Sequence, residues 1–452
     1  MKLKRINIIF FVALMLSSCA KEWLDIKSDK SLTVPLKVAD FQALLDNSSV
    51  LNVVSTVFQG EIAADGHYYT DNDWNAYMGT TYQNAYTWTN EVDGYVNDWN
   101  APYNAILTLN VVLDGARKIK DEPGADDVIA QALFQRSRLY FDLVQTFSPV
   151  YRQATADAVL SVPLRLTTDI TQPSVHSSLS EVYAQIIGDL KQAAFQLPID
   201  PLYVTRASQP ACFALISRVY LSMQKYDSAL HYASKCMDLK NQLIDYNTIP
   251  TSSQFIGVNK EVLFFNYYVP MPILVTDYLI DSSFFSLYEK DDLRKQTFFQ
   301  VNGSRIQFKG TYGNSATDVF AGLALDEVYL TRSECLARLG QVDLSMNTLN
   351  ILLETRWKKV NGTSTFTAKV ASNQKQALEI ILQERRKQLI LRNVRWMDLR
   401  RLNLEPETAV TIIRKVKGVS YTLDPQSYRY VFPIPNEIIQ VTNLQQNMGW
   451  EH

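Results

Sequence analysis

The sequence predicts a mainly α protein in which helical pairs stack into a curved scaffold, interrupted by long aromatic-rich loops and a few short β-hairpins. Apolar residues recur at spacings of three and four through several long segments, the period of one helical face. Two stretches, 206–239 and 325–357, each read as helix, tight turn, helix. Two further regions, about 60–95 and about 245–320, are rich in tyrosine and tryptophan and lose the helical period; both are expected to be loops on the ligand side. Of the 452 residues 47% are apolar, 11% aromatic and 20% charged, which fits a folded chain with a large core and excludes a disordered or collagenous one.

At the N-terminus, Lys2, Lys4 and Arg5 precede an eleven-residue apolar run, Ile6 to Leu16, broken only by Asn7. That is signal-peptide length, short of the roughly 20 residues that span a bilayer. Leu16-Ser17-Ser18-Cys19 follows. It resembles a bacterial lipobox, in which the cysteine is lipidated and becomes the new N-terminus. Residues 1–18 are therefore expected to be a lipoprotein signal peptide. Residues 19–452 are expected to form one mature domain tethered to a membrane through Cys19, with its helical scaffold at about 96–240 and 320–402. Removal of the leader leaves 41 basic against 46 acidic residues, a net charge of −5.

The helices follow in order. In 97–120, Trp99, Tyr103, Ile106, Leu107 and Asn110 share a face, and in 127–147 so do Ile129, Leu133, Tyr140 and Val144, predicting an antiparallel pair. The helix in 178–198 takes Ser178 or Ser180 as N-cap and stops before Pro198, which has no backbone N–H to continue it. In 206–239 the turn is expected at Lys225-Tyr226-Asp227, with small Ala229 and Ala233 letting the helices approach; in 325–357, Gly340 ends the first helix. Both units are similar to degenerate tetratricopeptide (TPR) repeats, which bury their apolar faces only by stacking. Asn302-Gly303 within FFQVNGSRIQF predicts a β-hairpin.

Charge and motifs narrow the function. With 44 Lys and Arg against 46 Asp and Glu there is no polycation, so nucleic acid is not an expected partner. The chain has no HExxH, GxSxG, GxGxxG or P-loop and its four histidines are scattered, so no metal or cofactor is expected. Cys212, Cys236 and Cys335 read as packing residues, with a Cys212–Cys236 disulfide as the alternative. Asp71, Asp73 and Asn75 have the 1, 3, 5 spacing of a calcium loop, but Ala76 and Tyr82 stand where glycine and a bidentate glutamate are needed, and a turn is expected instead. A glycosidase would need two facing carboxyls; Asp65, Glu91 and Asp93 lie near the aromatic segment.

Residues 60–103 hold ten aromatics in 44 positions, about twice the average density of the chain, interleaved with Asn, Asp, Thr and Gly. Sugar rings present apolar C–H faces and a polar rim, which suits such a mixture. Tyr69, Asn72, Trp74, Tyr77 and Tyr82 are the first candidates for ligand contact, with Tyr267, Tyr268 and Tyr312 as a second wall. Trp88, Trp99 and Tyr103 read as core.

Near the C-terminus, ALEIILQERRKQLILRNVRWMDLRRL and then YVFPIPNEIIQVTNLQQNMGW resemble the signature of the SusD/RagB family of outer-membrane nutrient-binding lipoproteins of Bacteroidota. Matching positions are Glu384, Arg385, Leu389, Arg395, Asp398, Leu399, Arg401, Pro433-Ile434-Pro435, Glu437-Ile438, Gln446-Asn447 and Gly449-Trp450. Gln388, Arg392 and Asn393 depart from it, where Glu, Glu and Gly are common. CAKEWLDI at 19–26, DDLR at 291–294 and ALDEVYLTRSECLARLG also resemble family elements. Glu384 and Arg395 are expected to share a helical face if the helix runs through, and Asp398 and Arg401 to form an i,i+3 pair, all fixing the helix to the scaffold. The resemblance implies a SusD-like fold at the cell surface, without catalysis. It implies capture of an oligosaccharide, or alternatively a peptide, and delivery to a SusC/RagA-type TonB-dependent transporter. A TPR scaffold for assembly on the periplasmic side is the competing class.

Overall fold

A computed structural model describes residues 35–53, 58–77, 79–89, 96–270 and 275–451, with the side chains of Tyr77, Val96 and Val275 excepted. Cys19, Glu91 and Asp93 lie outside the described residues, as does the Tyr77 side chain. Among the described residues there are seventeen α-helices and five two-stranded β pairs, the mainly α architecture that the sequence predicts. No helix among them is long and apolar enough to cross a membrane.

The scaffold is an array in which each helix packs on the next. Val96–Lys118 lies on Ala125–Phe147, which lies on Leu179–Ala194; Gln209–Ser222 and Tyr226–Leu239 follow. Tyr226–Leu239 then packs on Leu325–Arg338, which holds Val342–Glu354 and Gln374–Gln388, so the array bridges the insertion between 240 and 324. Ser178 caps its helix with a capping box, accepting from Glu181 N at 3.2 Å while Glu181 takes the Ser178 N–H at 2.8 Å.

The two TPR-like units repeat in atomic detail. Ser217 Oγ donates to the Ala229 carbonyl at 2.9 Å, and Ser333 Oγ donates to the Ser345 carbonyl at 2.7 Å, each tying the first helix of a pair to the second. The chain reverses through Gln224 (φ 57°) in one and Gly340 (φ 78°) in the other. The first turn, Met223-Gln224-Lys225, therefore comes two residues earlier than expected, because Tyr226 already begins the second helix. Buried Ala229 and Ala233 give the close approach expected of them.

The insertion is zipped at its ends: Val262–Phe264 pairs with Leu323–Ala324, and Tyr267–Tyr268 with Val319–Phe320. Between these pairs the expected hairpin forms, Phe299–Asn302 on Arg305–Phe308, turning at Gly303 (φ 62°).

Several expectations are corrected. The 60–95 region is not loop throughout: Phe58–Ala63, Asp71–Tyr77 and Thr80–Thr87 are helices. Thr70 starts the second, its Oγ accepting from Asp73 N at 3.2 Å while Asp73 Oδ2 takes the Thr70 N–H at 3.2 Å. The Asp71–Asn75 run is thus helix rather than a turn. Glu384 and Arg395 do not share a helix, since the chain breaks between Gln388 and Arg395 with Leu391 (φ 53°) and Asn393 (φ 59°) left-handed. Cys212, Cys236 and Cys335 are free and buried; Cys212 Sγ lies 3.1 Å from the Leu190 carbonyl, so no Cys212–Cys236 disulfide forms.

Candidate ligand-binding face

The aromatic N-terminal segment folds around one cation. Arg414, from the strand Ile412–Val416, lies with its guanidinium carbon 3.6 Å from the Tyr86 ring centre and 4.6 Å from that of Trp88, and donates to the carbonyls of Tyr86 and Ala64. Tyr69 packs on Tyr86 (5.0 Å), Trp74 on Tyr86 (5.5 Å), and His67 stacks on Tyr278 (4.5 Å). Burial, with the Arg414 charge nearby, pushes the His67 pKa down to about 3, so the ring is neutral and hydrogen-bonds the Tyr69 hydroxyl at 3.1 Å. This cluster is a support, with its rings turned inward.

Its outer surface follows from strand alternation. His67 and Tyr69 are buried and Tyr68, between them, is 37% exposed. Tyr68 bridges Leu279, and Leu279 bridges Gln307. Bridged residues project to one side of a sheet, so Tyr68 and half-buried Gln307 flank buried Leu279 on a single face. Arg305, two residues from Gln307 on the same strand, shares that face and reaches Asp73 at 3.4 Å. Asp73 and exposed Asn72 lie at the start of Asp71–Tyr77. The Tyr68 ring thereby shares a side with the Gln307 amide and the Arg305 guanidinium, and Arg305 ties that side to Asp73. Farther along, half-buried Tyr82 packs edge-on to Phe58 (5.9 Å), Phe58 on Tyr268 (5.4 Å), and half-buried Tyr267 follows Phe265 (5.9 Å).

Two sequence profiles match the chain, one described as starch-binding associating with outer membrane over residues 22–221, the other the SusD family over residues 307–450. The chain belongs to the SusD/RagB family. No curated protein matches it. Solved structures show the same fold: a SusD superfamily protein from Bacteroides thetaiotaomicron (TM-score 0.71, 20% identity, 91% of this chain and 99% of that one), a SusD-like carbohydrate binding protein from Bacteroides vulgatus (0.66, 19%, 90% and 97%), and surface glycan-binding protein A from Bacteroides uniformis (0.70, 15%, 91% and 99%).

The SusD/RagB signature residues are interior ties in this chain. Arg385 donates to Asp398 at 2.8 Å, Arg401 pairs with Glu334 (2.6 Å) and, as expected, with Asp398 (2.9 Å), and Arg395 grips Asp65 at 2.6 Å. Asp292 and Arg294 of the DDLR element form a bidentate pair that Glu384 joins at 2.6 Å. Asn447 Nδ2 donates to the carbonyls of Phe147 (2.9 Å) and Phe432 (2.8 Å), and Trp450 Nε1 to Val431 (2.8 Å). Gln388, where the family commonly has Glu, donates to Asp326 at 3.0 Å while its oxygen faces Arg356 at 3.3 Å. A carboxylate there would meet Asp326 without a proton to share. Arg392, also a departure, pairs with that same Asp326 at 3.1 Å, and Asn393 is among the side chains that tolerate its left-handed backbone.

The candidate contact residues separate. Asn72 is exposed, and Tyr82 and Tyr267 are half-buried and accessible. Tyr69 and Trp74 are buried within the Arg414 cluster. The expected second wall is corrected: Tyr268 and Tyr312 are enclosed, Tyr268 donating to the Leu391 carbonyl (3.3 Å) and the Tyr312 hydroxyl lying between the carboxylates of Glu261 (2.9 Å) and Asp326 (3.1 Å) with one proton to give. Trp88 and Trp99 are core, as expected, and Tyr103 is half-buried with its hydroxyl on the Pro163 carbonyl at 2.8 Å. Tyr68 and Arg305 were missed. The alternation of His67-Tyr68-Tyr69 could have marked Tyr68, whereas the position of Arg305 depends on pairing 232 residues apart.

Proposed function

We propose that this chain is a cell-surface nutrient-binding lipoprotein that captures an oligosaccharide and passes it to a SusC/RagA-type TonB-dependent transporter. The observation that carries the reading is the Tyr68 face. A solvent-facing ring covers the apolar side of a sugar, while Arg305, Asp73, Asn72 and Gln307 bond its hydroxyls. Membership of the SusD/RagB family, and the carbohydrate-binding and glycan-binding descriptions of two structural neighbours, support the same class of ligand. Binding is read as without turnover: Arg395 and Arg386 hold Asp65 well below the carboxylate range against the effect of burial, and Glu61, the nearby carboxyl that keeps a proton, is 1% exposed, so this pair does not face a ligand. Cys19 anchors the mature chain, residues 19–452, in the outer membrane, and tethering beside the transporter raises the effective ligand concentration at its mouth.

Titration of the chain from Ala20 with pools of oligosaccharides and of peptides tests the reading. Saturable binding of an oligosaccharide is expected, weakened about tenfold or more by Tyr68→Ala with Arg305→Ala, a loss of about 1.4 kcal/mol, with thermal unfolding unchanged. Binding confined to peptides would move the chain to peptide uptake. Cys19→Ala is expected to shift the protein from the membrane to the soluble fraction; retention in cells lacking the transporter would refute the anchor.

A further inference from the structure

We propose a second saccharide site, for acidic sugars, on the opposite side of the hairpin from Tyr68. Cross-strand pairing sets the two sides: Asn302 with Arg305 and Gln300 with Gln307 share the Tyr68 side, and Phe299 with Phe308 and Val301 with Ile306 share the other. Against that other side lies a cleft of about 720 Å³. Its floor is apolar, with half-buried Phe285 and Val301, which is 55% exposed. Its rim carries Lys290, Lys295, Lys358 and Lys359.

The charges do not cancel locally. Lys359 pairs with Asp245 at 2.6 Å. Asp292, in the wall, is already held by Arg294 (2.7 Å) and Lys387 (3.2 Å). Lys295 sits 4.7 Å over the Phe285 ring and donates to the Tyr288 carbonyl at 3.0 Å, leaving two of its three protons free. Lys290 and Lys358 are exposed and form no ion pair among the described residues, and Asp291 is the one wall carboxylate left to offset them. A net-negative chain thus keeps a cationic cleft over an aromatic floor. A uronate or sulfated sugar fits both parts, its C–H face on Phe285 and its anion among the ammonium groups. The charge of the ligand is read from the cleft alone; its being a saccharide rests on the proposed function.

Calorimetry on the full chain in detergent tests this with four probes: oligogalacturonate, chondroitin sulfate oligosaccharide, neutral maltoheptaose and polyaspartate. At least one acidic saccharide is expected to bind, about tenfold more weakly in Lys290→Gln/Lys358→Gln and about tenfold more weakly between about 50 and about 300 mM salt. Tyr68→Ala should leave this binding within about twofold. Both lysines are exposed, so the double variant should unfold at the wild-type temperature. Acidic-saccharide binding indifferent to the lysine changes overturns the site, and equal binding of polyaspartate overturns the saccharide class. Binding of maltoheptaose alone overturns the cleft and leaves the Tyr68 reading standing, whereas silence with every saccharide removes both.

Discussion

Glu61 is 1% exposed, and its carboxylate accepts the Asn393 backbone N–H at 2.8 Å. Burial pushes its pKa from 4.5 up to about 7, with Asp65 adding and Asn393 and Arg395 opposing. Between those values the folded chain holds a proton that the unfolded chain has released, so this group lowers stability as pH rises through the window, and its effect levels off above 7. His67 has the opposite sign: its folded value of about 3 lies below the ordinary 6.5, so it costs stability as pH falls from 6.5 towards 3. Glu61→Gln is therefore expected to gain on wild type as pH rises from 4.5 to 7, by on the order of 3 kcal/mol at the plateau. Urea midpoints across that range check it, and parallel curves for the two proteins would disprove the buried proton. Neither sign was legible in the sequence, because both are set by burial, which only the fold creates. At the same scale the aromatic composition did not tell which ring turns outward: Tyr69 faces the Arg414 cluster, and its neighbour Tyr68 faces solvent.

The helical pairs were the most legible elements, because each long helix carries its apolar stripe in its own sequence. Asp71–Tyr77 and Thr80–Thr87 were not, since they have no apolar period and are held by tertiary packing, Trp74 on Tyr86 and Tyr86 on Arg414. Thr70-x-x-Asp73 was the one local signal for the first of them. The repeat gives a direct test of equivalence. Ser217 and Ser333 make the same hydrogen bond at the same place in two units, and both are fully buried. Each Ser→Ala change removes the second hydrogen bond to a helical carbonyl that keeps its own i+4 donor, and is expected to cost about 1 kcal/mol. The double variant should cost the sum within about 0.5 kcal/mol, since the two sites share no partner. Guanidinium unfolding of the three variants measures this, and a marked deficit in the double would mean that the units unfold separately.

In the whole molecule, distant parts of the sequence hold the Tyr68 face in place. The C-terminal region reaches the N-terminal aromatic segment through Arg395 on Asp65, the Asn393 N–H on Glu61, the Lys417 N–H on Asp71, and Arg414 on the carbonyls of Ala64 and Tyr86. Arg414 is the central tie. It is buried between two rings and forms no ion pair among the described residues, so its charge is balanced by carbonyl dipoles, aromatic faces and the nearby charge of Asp65. Arg414→Met removes the guanidinium and leaves both carbonyls buried without a donor, for an expected loss of about 3 kcal/mol or more. Arg414→Lys keeps the charge but cannot reach both carbonyls with one ammonium, and should fall between. Lys415→Ala, on the exposed side of the same strand, should change nothing. Saccharide binding measured well below the unfolding temperature adds the decisive readout. Arg414→Met is expected to weaken it although Arg414 lies beneath the face, because Tyr68 and Asp73 would lose the floor that positions them. Full affinity in a destabilised Arg414→Met protein would show that the face holds its shape without the C-terminal tie.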